Sequence, residues 1–186
     1  MDLQHIILNS LLDTYERSGH IMPDKVSNRK IAWKPLQLDG YKEHSFQDVS
    51  KLNEAVNQLA NKNIISFTWN KGYENQLVGK VFLNLENVQQ AYMLLNRSPV
   101  VNRAGKLLNI IADTKKQVNT PWLQRFLSDE ETHLRGKLKP SRLFPEDAQL
   151  AADICKLLMY IDKKSALIRM ISVQCFGNSK YVEYQL

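Results

Sequence analysis

Between residues 46 and 85 the chain reads helix, strand, polar turn, strand, and few small folds accommodate that order. Val49, Leu52, Val56 and Leu59 recur on one side of a helical period, with Ser45 or Asp48 as cap, so a helix is predicted from about Phe46 to Asn61. Ile65, Phe67 and Trp69 then alternate with Ile64, Ser66 and Thr68, residues 70–75 are turn formers, and alternation resumes from Leu77 to Leu85. Two such strands closing on a helix make the helix-plus-wing half of a winged helix. An amphipathic helix from Leu3 to Arg17, carrying Leu3, Ile7, Leu11 and Tyr15 at i, i+4 spacing, precedes it, with a short strand within Arg29 to Lys34. The remainder of Ser18 to His44, broken by Gly19, Pro23, Pro35 and Gly40, reads as an irregular connection.

Beyond the hairpin the pattern is helical. Asn84 caps a helix bearing Val88, Ala91, Tyr92 and Leu95, which Ser98-Pro99 stops; Val101, Ala104, Leu108 and Ile111 mark a second over Val100 to Val118; Thr120-Pro121 opens a third through Trp122, Phe126 and about His133. Residues 136–145 read as a linker. A last helix over Glu146 to Lys163 is expected to bury Leu150, Ile154, Leu157, Leu158 and Ile161, followed by a strand from Leu167 to Val173 and a turn at Gly177-Asn178-Ser179. The expected fold class is mainly α with a small β component (α+β). It comprises a winged-helix-like arm over 1–95, a basic helical hinge over 97–143 and, over 144–186, a helix-strand start of an α/β cap domain.

Charge placement suggests a partner. Ten basic residues (Arg97, Arg103, Lys106, Lys115, Lys116, Arg125, Arg135, Lys137, Lys139, Arg142) lie between positions 97 and 142 against four acidic ones, so this segment carries the whole net charge of +6. Paired contacts to phosphates need such a localised excess, which makes duplex DNA the expected partner; a solvated basic surface is the competing reading. Lys51, Asn57 and Lys62 on the helix before the hairpin, and Lys71 in its turn, are residue types that reach base edges and phosphates from a groove. Winged helices also dock proteins, so an interaction adaptor without DNA affinity stands beside the DNA reading.

No self-contained catalytic centre is expected. His5, His20, His44 and His133 are scattered, no phosphate-binding loop or nucleophile elbow is present, and the Asp129-Glu130-Glu131 run reads as a solvated face. Of the tyrosines only Tyr181, beside Lys180, has a trace of the basic surroundings a strand-transfer nucleophile needs. No catalytic residue, metal ligand or cofactor is assigned to this chain. Cys155 and Cys175, without CxxC spacing, are expected as buried free thiols. The apolar run from Ile6 to Leu12 is interrupted by Asn9 and Ser10 and lacks a basic lead, so neither signal peptide nor membrane contact is expected, and the cytoplasm is the default compartment.

The segment from Ile168 to Glu183 resembles a motif of the JetD family, the nuclease subunit of the Wadjet anti-plasmid defence system and a distant relative of the topoisomerase VI A subunit. Its pattern is matched by Arg169, Ser172, Phe176, Gly177, Ser179, Lys180 and Glu183, with Asn178 where the family has Asp. Leu11 to Ser18, Asn28-Arg29-Lys30 and Leu52 to Trp69 are also similar to the family's N-terminal region. The resemblance implies a DNA-engaging N-terminal part of a nuclease subunit. The Toprim domain that would bind Mg²⁺ or a similar divalent metal is expected to lie C-terminal to the motif and outside this chain. It further implies an SMC-type ATPase complex as partner, and leaves a homodimer open.

Overall fold

The structure, a computed structural model, describes residues 2–22, 27–35 and 46–185. The candidate cap Ser45 and the breakers Pro23 and Gly40 lie outside these. The chain is mainly helical with one small antiparallel sheet, and it divides at Pro99 and Val100 into two compact units. The first unit holds the segment expected as the arm. The second holds residues 100–143 together with the segment expected as the cap.

In the first unit, α1 (Leu3–Glu16) starts where the Asp2 carboxylate accepts from the Gln4 N–H at 3.0 Å, satisfying one of the free donors of the first turn. Its apolar face buries Ile7, Leu8, Leu11 and Leu12. Strand β1 is short, Ala32–Trp33, with Trp33 pointing inward. Helix α2 (Phe46–Asn61) buries Leu52, Val56 and Leu59 as its periodicity requires, and ends as Asn63 turns left-handed at φ 56°. Asn84 and Asn87 each donate through Nδ2 to the Asn63 carbonyl, at 3.0 and 2.9 Å, which ties the end of α2 to the end of the hairpin.

The hairpin is β2 (Ile65–Trp69) and β3 (Val78–Leu83), in the sheet order β1-β3-β2. Ile65 pairs with Leu83 and Phe67 with Val81, so one face sends these four toward the helices while Ser66, Thr68, Lys80 and Phe82 occupy the other. A bulge between Thr68 and Trp69 brings β2 against Gly79, where a Cβ would stand 3.0 Å from the Trp69 carbonyl oxygen. Only glycine fits there. Asn84 does cap the next helical segment, accepting from the Glu86 N–H, though a single 3₁₀ turn intervenes before α3 (Val88–Leu94).

The second unit is built from α4 (Val100–Lys115), α5 (Pro121–Lys137), α6 (Ala148–Lys163), α7 (Ile168–Phe176) and α8 (Tyr181–Gln185). Three expectations need correction here. The buried stripe of α4 is Val100, Ala104, Leu107 and Ile111, leaving Val101 exposed and Leu108 only partly covered. Helix α6 buries Ala151 and Cys155 rather than its leucine and isoleucine stripe: small side chains face α4, Leu150, Ile154, Leu157 and Leu158 are half-buried, and Ile161 is exposed. Residues 167–173, expected as a strand, begin helix α7. A lone strand would leave its backbone unpaired, whereas the helix buries Ile171, Ser172 and Cys175 on one side. Both cysteines are buried free thiols, and burial pushes both above the ordinary thiol range. No described helix is long and apolar enough to cross a membrane.

Candidate nucleic-acid interface

The ten cations expected to meet phosphates are not equivalent. Arg97 belongs to the first unit, where its guanidinium pairs with Asp13 and Glu16, each at 2.8 Å. The buried Glu16 also accepts from the Tyr92 hydroxyl at 3.0 Å. Burial, and then the neighbouring Glu16 charge, push that phenol up, so it stays a donor. Arg97 is thus committed to the fold.

In the second unit Lys115 pairs with Glu131 at 2.8 Å, and Arg135 reaches the other oxygen of the same carboxylate at 2.8 Å. Lys115, then Arg135, hold the Glu131 carboxyl below its usual range. Lys116 pairs with Asp113, and Arg125 approaches Asp129 at 4.0 Å on an exposed surface, a contact that contributes little. Arg103 also has a partner. Lys106, Lys137, Lys139 and Arg142 make no ion pair among the described residues.

Three of these four lie within six residues around the C-terminal end of α5, with Arg135 just before them. Leu138 ends that helix in the left-handed conformation, at φ 54°. The following loop is pinned twice: the Ser141 N–H donates to buried Glu130 at 2.7 Å, and Phe144 is buried in the core. Glu130 therefore corrects the expectation of a uniformly solvated acidic run, since only Asp129 faces water freely and Glu131 is half-buried between two cations. Its positioning role was not legible in the sequence, because its partner lies eleven residues on and is a backbone group. At the other end of α5, Asp162 accepts from the Asn119 and Thr120 N–H groups at 2.9 Å each.

On the first unit, Lys51, Asn57, Lys62 and Lys71 are all exposed. Lys51 on α2 and Lys62 just past its end lie in line with Glu54 and Gln58 between them, and Gln58 is taken up by Gln4 and Glu54. The mixed charge of this face makes it a weaker phosphate surface than the α5 end.

The motif near the C-terminus folds as a tight helix-turn-helix. Gly177 closes α7 at φ 68°, the Ser172 hydroxyl donates to the Asn178 carbonyl and accepts from the Val182 N–H at 3.1 Å, and the Asn178 side chain accepts from the Lys180 N–H at 2.9 Å. Phe176 and Tyr181 rings stack with centroids 4.5 Å apart. The Tyr181 hydroxyl donates to Asp153 at 2.7 Å, a bond that holds the phenol above its ordinary range. That is the reverse of what activates a nucleophile.

Over an alignment of 190 positions, 98% of this chain, the sequence is 23% identical to the Wadjet protein JetD of Bacillus cereus (strain Q1). The chain is JetD-like throughout. It spans 46% of that relative's length, about half. No protein-family model matches, and no solved structure matches.

The JetD-like motif thus has a structural reading for four of its residues. Ser172, Phe176, Gly177 and Asn178 make the turn, while Arg169, Ser179, Lys180 and Glu183 are exposed. The oxygen that caps the Lys180 N–H is one that Asp and Asn supply equally, so the departure at Asn178 leaves the turn intact. Among the described residues no three His, Cys, Asp or Glu side chains converge as a metal site.

Proposed function

We propose that this chain is a DNA-engaging part of a JetD-like, Wadjet-type defence subunit. It would hold duplex DNA by its phosphates through the second unit, with the first unit acting as a winged-helix-like arm. The observation that carries this reading is the set of cations without ion partners among the described residues at the α5 end: Lys137 in its last turn, and the half-buried Lys139 and exposed Arg142 on the following loop, which Glu130 and Phe144 anchor. The second unit carries fourteen basic against nine acidic residues, so its excess is not cancelled elsewhere on that unit. The α5 macrodipole also favours cations at this end, but it does not require Lys139 and Arg142, which lie past the last turn. Nuclease action, a metal-binding Toprim domain and an SMC-type ATPase partner would belong to the whole subunit, in a cytoplasmic setting.

Fluorescence anisotropy with duplex DNA across a salt series tests the proposal. Engaging four cations gives a log-log salt slope of about 3 to 4, and Lys137→Glu/Lys139→Glu/Arg142→Glu removes most of it. Lys115→Glu/Lys116→Glu has the smaller effect, because those side chains already have partners. A larger loss from Lys51→Glu/Lys62→Glu moves the site to α2, and absence of binding by the wild type at low salt leaves the adaptor reading.

A further inference from the structure

The outer face of the first unit's sheet carries features that duplex binding at α5 does not use. Phe82 sits in mid-face on β3, and in register its cross-strand neighbours are Ala32 on β1 and Ser66 on β2, both too small to cover the ring. The ring is half-buried, and Lys30 Nζ lies 5.5 Å from its centroid. Beside it is a cavity of about 380 Å³, with Ser66 and Asn84 in its wall and Glu86 as its carboxylate. Lys30 and Ile31 also line an adjoining cavity of about 260 Å³, whose other charged groups among the described residues are Arg17 and Arg29, with no carboxylate among those residues. The His20 ring contacts the Arg29 carbonyl at 2.6 Å, fixing the segment between the two cavities. Arg17 and Arg29 make no ion pair among the described residues.

We propose that this face binds single-stranded nucleic acid, with a phosphate between Arg17 and Arg29 and an adjoining base stacked on Phe82 in the place where the Lys30 ammonium lies. An exposed aromatic ring next to a cationic groove is how sequence-tolerant single-strand binders work, because every base has a π-face and every nucleotide a phosphate. A duplex keeps its base faces stacked inside and cannot use Phe82. The site lies in a different unit from the α5 cations, so it stands or falls apart from the duplex reading.

The test uses the full chain and a fluorescein-labelled oligothymidylate of about 12 nucleotides, within the roughly 4 to 16 that one folded module covers. A strand of the same length lacking its bases, and a duplex, are measured alongside. The wild type is expected to bind the oligothymidylate at least about fivefold more tightly than the abasic strand, a ratio that Phe82→Leu brings close to one. Arg17→Glu/Arg29→Glu weakens both single strands and flattens their salt dependence. Phe82→Leu leaves duplex binding unchanged, and Lys137→Glu/Lys139→Glu/Arg142→Glu leaves oligothymidylate binding unchanged. Equal wild-type affinity for the oligothymidylate and abasic strands overturns the proposal without any variant. So does an undiminished preference in Phe82→Leu, or no wild-type binding to single strands.

Discussion

Replacing Arg97 by alanine separates a structural cation from a DNA-binding one. The guanidinium is only 20% exposed and bridges Asp13 to Glu16, whose side chain is 4% exposed. Removing it takes the Arg97 charge away from the buried Glu16 carboxylate. Breaking a buried pair from one side costs about 3 to 5 kcal/mol. Glu16 keeps the Tyr92 hydroxyl and Arg97 is not wholly desolvated, so the lower end, about 3 kcal/mol, applies. With a urea m-value of about 1.5 kcal/mol/M, the unfolding midpoint of the first unit falls by about 2 M. In a Trp122→Phe background only Trp33 and Trp69, both in the first unit, report by fluorescence. Glu16→Gln, which keeps an acceptor for Tyr92 while Arg97 retains Asp13, is expected to cost about 1 kcal/mol. A midpoint unchanged in Arg97→Ala, together with weaker duplex binding, refutes this reasoning and returns Arg97 to the DNA surface.

Ser172→Ala removes a buried hydroxyl that bridges the Asn178 carbonyl and the Val182 N–H, and should cost about 1 to 3 kcal/mol, visible as faster amide exchange confined to α7 and α8. Asn178→Asp keeps the cap on the Lys180 N–H and should change stability by less than about 0.5 kcal/mol; a larger loss in thermal melts means the side chain does more than cap. The Thr120 side chain first, and then the Asn119 and Thr120 N–H groups, hold the Asp162 carboxyl below the usual carboxylate range. Its contribution is therefore complete above its unfolded value of about 4 and lost as pH falls through the lower folded value. Asp162→Asn should flatten the acid limb of the stability profile in that window, and a profile parallel to the wild type's would show that Asp162 does not contribute to it.

Much of the fold was legible because local periodicity and burial agreed. Helix α2 spans the residues its apolar stripe marks, and both hairpin strands lie where alternation places them. Asn84 caps as its residue type suggests. A half-buried surface imposes a period, and the period can be read. Residues 167–173 were not legible in this way, since a short run rich in apolar and β-branched residues satisfies strand and helix alike and only packing decides. In α6 the close approach to α4 selects Ala151 and Cys155 over larger apolar neighbours, a choice made by the facing helix. Likewise, the sequence by itself determined that positive charge concentrates between Arg97 and Arg142. Which of those cations are left to meet a polyanion was decided largely by the tertiary structure, because Glu16 and Glu131 reach Arg97 and Lys115 only after the chain has folded, and an ion pair forms between side chains that are near in space.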